Sequence, residues 1–258
     1  MIRLRPAELL LQELGVTEPN DIDLEAIAHY VGCEARYRDL VGCEARIIGT
    51  GDRAIISIST AVHPVRQRFS LGHELGHWCH HRGRPLMCRA DDIENQTRGA
   101  LDPERVADGY AADLLLPRYL VEPRLDRKSR PSFKQVEEIA TAFRTSVPAT
   151  ALRFVDLTPY DVILVCHNQQ GRRWFKRGPR IPERWFPRDD LDADSYAFDV
   201  LYKKRPRSHI ALMPAAAWFD QREAERYELN EETIALSSDD ILTMLTIRDD
   251  GMMEEYRP

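Results

Sequence analysis

His73-Glu74-Leu75-Gly76-His77 constrains this chain more than any other stretch. Two histidines four residues apart share one face of an α-helix, about one turn from each other, so both imidazoles can reach a single metal ion. Glu74 between them can then act as general base on a metal-activated water. The surroundings agree with that geometry. Arg66 to Leu71 carry no glycine or proline, Phe69, Leu71 and Leu75 form an apolar stripe, and Pro64 suits a first turn. The pattern predicts a buried helix over 64–81. The plainer reading of the same residues is a core helix with two hydrogen-bonded histidines.

A catalytic zinc site usually takes three protein ligands and keeps a position open for water. The best source of a third is Leu101-Asp102-Pro103-Glu104 through Pro117. Asp102 or its neighbour can cap a helix, Pro103 fits the first turn, and Pro117 marks the end. Glu104 and Asp108 lie one turn apart. Glu104 can bind the metal, while Asp108 accepts the free ring N–H of a histidine and sets its tautomer. Ala107, Ala111, Leu114 and Leu115 form the packing face, with alanines small enough for a close helix pair. Read without the first motif, Glu104 and Asp108 are an ordinary solvated acidic face.

Taken together, Arg68-Phe69-Ser70-Leu71-Gly72-His73-Glu74-Leu75-Gly76-His77 and Glu104-x-x-Ala107-Asp108-x-Tyr110-Ala111-Ala112-x-Leu114-Leu115-Leu116-Pro117 resemble the ImmA/IrrE family of bacterial metallopeptidases over about Leu4 to Leu157. The resemblance implies Zn2+ held by His73, His77 and Glu104, with Glu74 as the base. Tyr110, Leu116 and Val106 depart from the usual residues, and none lies in the implied metal shell. It further implies a helix-turn-helix transcriptional repressor as the cleaved partner, and release of stress, mobile-element or phage-defence genes on cleavage. DNA damage, perceived as single-stranded DNA, is the expected trigger. The donor for the reaction's oxyanion stays open among His80, His81 and Tyr110.

With 258 residues and 43% hydrophobic content the chain can bury cores for two modest domains. The expected fold class is α+β. The family resemblance implies a zincin-like helical metallopeptidase domain with a small β-sheet, 1–158, followed by a smaller α+β domain, 159–258, that looks like a short version of the GAF-type sensor some family members carry there. A net charge of −6 argues against uniform nucleic-acid binding but leaves room for a local basic patch. Five cysteines are an odd number without scaffold density, which fits reduced thiols in a cytoplasm. Met1 to Pro6 lack a signal-peptide apolar region and no run approaches membrane-spanning length, so a cytoplasmic protein with no membrane partner is expected.

Val31-Gly32-Cys33-Glu34-Ala35-Arg36 recurs unchanged at Val41 to Arg46. Copies this short define no solenoid. They read as two neighbouring strands after a helix at Leu24 to Val31, with a third strand at Ala54 to Ser59, and an edge strand here can pair with an extended substrate. Cys88, eleven residues after His77 in the segment 82–96, offers a thiolate that could fill the open zinc position and hold the enzyme latent. Its plainer role is a free cysteine packed under a loop.

Ser132 to Leu157 reads as a helical hairpin included in the first domain. The pattern resembles a helix-turn-helix, yet its second helix offers Arg153 as its one basic side chain, which favours packing over DNA contact. Beyond Thr158-Pro159, Val162 to Cys166 and Arg172 to Phe175 read as a β-hairpin, and Ala197 to Tyr202, Ile210 to Met213 and Ile241 to Ile247 as further strands. Gly171 to Arg188 holds seven cations, Arg172, Arg173, Lys176, Arg177, Arg180, Arg184 and Arg188, interleaved with Trp174, Phe175, Trp185 and Phe186. Phosphate-neutralising cations beside base-stacking aromatics suit a single-strand binder, whereas a hairpin with core tryptophans is the alternative. Two rival functions remain at this stage. One is a broad-specificity peptidase without signal input, the other a DNA-binding transcriptional regulator whose zinc is structural.

Overall fold

The computed structural model describes residues 6–81 and 102–254. The chain divides into two compact units, Met1–Arg124 with Ala140–Ser146, and Leu125–Ile139 with Val147–Pro258.

In the first unit, helices α1 (Pro6–Glu13) and α2 (Leu24–Tyr30) precede strands β1 (Cys33–Arg38), β2 (Ala45–Thr50) and β3 (Arg53–Ser59). Asp23 caps α2 by accepting from the Ala26 N–H at 3.0 Å. The sheet order is β1-β3-β2, with β1 parallel and β2 antiparallel to β3. Ile47, Ala54, Ile56 and Ile58 are buried. Helix α3 (Pro64–His81) packs on β2 and β3 through that apolar face. Trp78 of α3 sits over Gly49, where any side chain would collide with the indole, and donates its ring N–H to the Val31 carbonyl at 2.9 Å. Helix α4 (Pro103–Leu115) follows, then the short α5 (Arg118–Val121).

The second unit is built on a five-stranded antiparallel sheet of order β5-β4-β8-β7-β6, from β4 (Val162–Asn168), β5 (Gly171–Arg177), β6 (Ala211–Pro214), β7 (Glu228–Ala235) and β8 (Ile241–Ile247). Strands β4 and β8 are buried along almost their whole length, so both sheet faces are covered. One face carries a core of Ile163, Val165, Trp185, Trp218, Phe219 and Leu245, closed by α8 (Tyr196–Tyr202). That helix replaces the strand expected at Ala197 to Tyr202. Ser195 caps it through the Phe198 N–H at 3.2 Å, and buried Glu231 accepts from the Ala197 N–H at 2.6 Å. Such termini settle a seven-residue helix that apolar content alone leaves ambiguous.

Helices α6 (Phe133–Phe143) and α7 (Val147–Leu157) form the expected hairpin, but it is shared differently from a boundary at 158. Helix α7 buries Ala151, Phe154 and Val155 and packs on β4 and β5, with Asp156 ion-paired to Lys176 at 2.8 Å. The N-terminus of α6 is held by Glu232, which accepts from the Phe133 N–H at 2.7 Å. Arg153, the basic side chain that a DNA-reading second helix would need to present, is buried at 8% exposure.

Candidate metal centre

Helices α3 and α4 pack antiparallel, as paired positions show: Gly72 lies on Ala111, Gly76 on Ala107. A Cβ at Gly76 would stand 2.8 Å from the Ala107 Cα, so the close approach requires glycine there. This proximity brings the helix faces carrying His73, His77 and Glu104 together. His73 Nε2 lies 3.1 Å from Glu104 Oε2, His77 Nε2 lies 3.3 Å from Glu104 Oε1, and the two Nε2 atoms are 3.0 Å apart. Among the described residues this is the cluster with metal-ligating convergence.

The spacing tests the zinc expectation directly. Ligands about 2.0–2.1 Å from a tetrahedral ion stand about 3.3 Å from one another, close to the separations here. His73 donates its Nδ1 proton to Asp108 Oδ1 at 2.9 Å, which leaves the Nε2 lone pair facing His77 and Glu104. That hydrogen bond is the main cause of a raised His73 pKa, with burial opposing it. The donor set therefore fits Zn2+, with His73, His77 and Glu104 as ligands and Asp108 as the orienting partner. Asp102 accepts from the Glu104 N–H at 3.1 Å and caps α4 two residues before the third ligand.

Glu74 is buried at 3% exposure, close enough to His73 and Glu104 for both to act on its charge. Its Oε2 has no hydrogen-bond partner among the described residues. Burial pushes its pKa up to about 7, against the pull of nearby His73. A carboxylate with an unused lone pair and a pKa near neutrality is suited to moving a proton.

The other expected site residues fall as follows. Cys88 lies outside the described residues. Tyr110 is buried and its hydroxyl accepts from Cys79 Sγ at 3.5 Å, while His80 Nδ1 donates to the Gly76 carbonyl at 3.1 Å. In the basic strip, Arg173 pairs with Asp240 at 3.0 Å, Lys176 with Asp156, Arg180 with Asp161 at 2.9 Å and Arg188 with Asp220 at 2.9 Å. Arg177 donates to the Glu183 carbonyl, and Arg184 lies over the Trp185 ring at 5.0 Å. Arg172 stacks on exposed Phe186 at 4.4 Å with Asp189 at 3.8 Å. Trp174 is half-buried on β5. Trp185 is a fully buried core residue whose indole N–H donates to the Met252 carbonyl, which corrects its expected role as a stacking surface. Several cations of the strip are thus paired to carboxylates elsewhere in the chain, which the local alternation of charge and aromatic residues does not predict.

Residues 28–155 match the IrrE N-terminal-like domain of the M78 peptidases. The chain carries an ImmA/IrrE-family domain. His73, Glu74, His77 and Glu104 all lie within this matched stretch. The radiation response metalloprotease IrrE of Deinococcus radiodurans is 28% identical over 116 residues, which cover 42% of this chain and 33% of that protein. The chain thus matches about a third of that relative's length. A Mycobacterium tuberculosis transcriptional regulator of known structure superposes with a TM-score of 0.56 at 15% identity, over 93% of this chain and 86% of that one. At that identity the likeness shows the fold alone. Among the described residues no helix is long and apolar enough to cross a membrane.

Proposed function

We propose that this chain is a zinc-dependent endopeptidase that cleaves a specific regulatory protein in the cytoplasm. The observation that carries the reading is the convergence of His73, His77 and Glu104 beside Glu74, a buried carboxylate with an oxygen left over. A zinc ion bound by the triad supplies Lewis acidity to a water and to a peptide carbonyl. Glu74 takes the proton of the attacking water and returns it to the leaving amine, so the peptide bond breaks without a covalent enzyme intermediate. Asp108 keeps His73 in the tautomer that faces the ion. The outer edge of β2 gives an extended substrate backbone a strand to pair with.

The family supports a helix-turn-helix transcriptional repressor as the substrate, and the relative's role in radiation response supports DNA damage as the input. Derepressed stress or defence genes are the output in this reading. The second unit acts as the GAF-like regulatory module. Its paired cations and buried Trp185 weigh against single-stranded DNA as the activating ligand. Salt-sensitive binding of an oligonucleotide by the full chain is the measurement that restores that trigger.

The deciding experiment uses the zinc-loaded full chain and a Glu74→Gln variant. Wild type cuts a small repressor at one bond while Glu74→Gln binds zinc and cuts nothing. Retained cleavage by the variant overturns the mechanism, and a long list of unrelated digested proteins replaces regulation with general proteolysis. Sequence-specific duplex binding without any proteolysis returns the structural-zinc regulator.

A further inference from the structure

Arg66 stands two helical turns before His73 on the same face of α3, about 10 Å away along the helix axis. Its side chain is 54% exposed yet held in place at two points. The guanidinium lies 5.3 Å over the Phe69 ring, whose own centroid is 6.3 Å from that of His73. Its Nε donates to Glu44 Oε2, at the leading end of β2. Glu44 also accepts from the Ser70 hydroxyl at 3.4 Å, so the carboxylate is anchored to α3 as well. The contact through Nε leaves the terminal nitrogens of a planar fork for another acceptor.

The strand geometry says what reaches that fork. With Glu44 beside Arg66 and Gly49 beside Trp78, β2 runs alongside α3 past the metal triad. A peptide paired to the outer edge of β2 therefore crosses the metal centre and continues over Phe69 to Arg66. At about 3.3 Å per residue, 10 Å corresponds to about three residues from the cleaved bond. An arginine fork matches a carboxylate, and its stacked, tethered position lowers the cost of ordering it.

We propose that Arg66 is a specificity-determining residue that binds an acidic side chain of the substrate about three residues from the cleaved bond. The proposal rests on the peptidase reading. Its test is a randomised peptide library digested by the zinc-loaded full chain, with the residues around each cut counted. Asp and Glu are enriched about tenfold over Lys and Arg at one fixed distance from the cut. Arg66→Glu, checked for unchanged zinc stoichiometry, inverts that preference at the same distance, and Glu44→Gln strengthens the wild-type preference by freeing the fork. A profile without charge bias, or one that Arg66→Glu leaves unchanged, overturns the assignment. The same library is captured on zinc-loaded Glu74→Gln chain. If wild type cuts nothing, the peptidase reading falls, and acidic bias among captured peptides that Arg66→Glu reverses still upholds the subsite, while its absence removes it.

Discussion

Glu74 in the first unit and Glu231 in the second are carboxylates buried to the same degree, at 3% and 0% exposure. Their surroundings differ. Glu231 accepts from the Ala197 N–H, from the Trp218 indole at 3.0 Å and from the Thr233 hydroxyl at 3.4 Å. Glu74 leaves Oε2 without a partner beside three converging ligand groups. Burial raises the pKa of both, and hydrogen bonds pull that of Glu231 back. Burial alone thus does not single out a candidate site; an unspent acceptor beside a ligand cluster does.

The largest expected effect separates the two glutamates. Glu74→Gln lowers peptide cleavage by about 10²–10⁴-fold, the usual contribution of a general base, while the denaturation midpoint stays put or rises because a desolvated charge is gone. Glu231→Ala leaves two buried N–H donors unsatisfied and costs about 3 kcal/mol of stability. Paired urea titrations and cleavage rates measure both. A Glu231→Ala chain as stable as wild type would break the contrast.

A histidine pair extends it. His73 is turned toward the metal position by Asp108, whereas His167 on β4 is 1% exposed, packs edge-on against Trp218, and meets no partner at hydrogen-bond geometry from either ring nitrogen. Burial pushes the His167 pKa down to about 4, and the nearby Arg188 backbone offsets only part of that. The unfolded chain takes up this proton near pH 6.5, the folded chain near 4. Stability from keeping the ring neutral is therefore complete above about 6.5 and drains away as pH falls toward 4, by about 3 kcal/mol in all. His167→Phe should flatten the urea midpoint across that window. An unchanged acid slope in the variant would show that other groups set it.

These contrasts also explain what the sequence reveals. The metal centre is legible because helix periodicity is local: residues at i and i+4 must share a face, and Asp102-Pro103 announces the second helix. The two Val-Gly-Cys-Glu-Ala-Arg copies show the opposite case. In the first, Val31 caps α2, Gly32 adopts a φ of 87°, and Cys33 begins β1. In the second, Gly42 turns with a φ of 80° and β2 begins only at Ala45, after Glu44 has met Arg66 and Ser70. Identical residues differ because Trp78 and Arg66, far along the chain, hold different parts of each copy. Strand β7 was hidden for a related reason. Its Glu231, Glu232 and Thr233 are buried and polar, satisfied by helix ends and hydroxyls that no local pattern predicts.

Two smaller effects sharpen the account of the first unit. Asp108→Ala removes the acceptor that fixes the His73 tautomer, and zinc affinity measured by chelator competition should fall about 10–100-fold. Asp102→Ala acts one step further out. It deletes the cap on the Glu104 N–H and should cost about 1 kcal/mol in stability, as helix caps do. Its effect on zinc should be smaller than that of Asp108→Ala, because Ala107, Ala111 and Leu114 still seat α4 against α3 and Glu104 loses only the rigidity of its first turn. Asp102→Asn, which preserves a capping oxygen, should restore most of both losses. If instead Asp102→Ala weakens zinc as much as Asp108→Ala does, the third ligand is positioned by the cap rather than by helix packing.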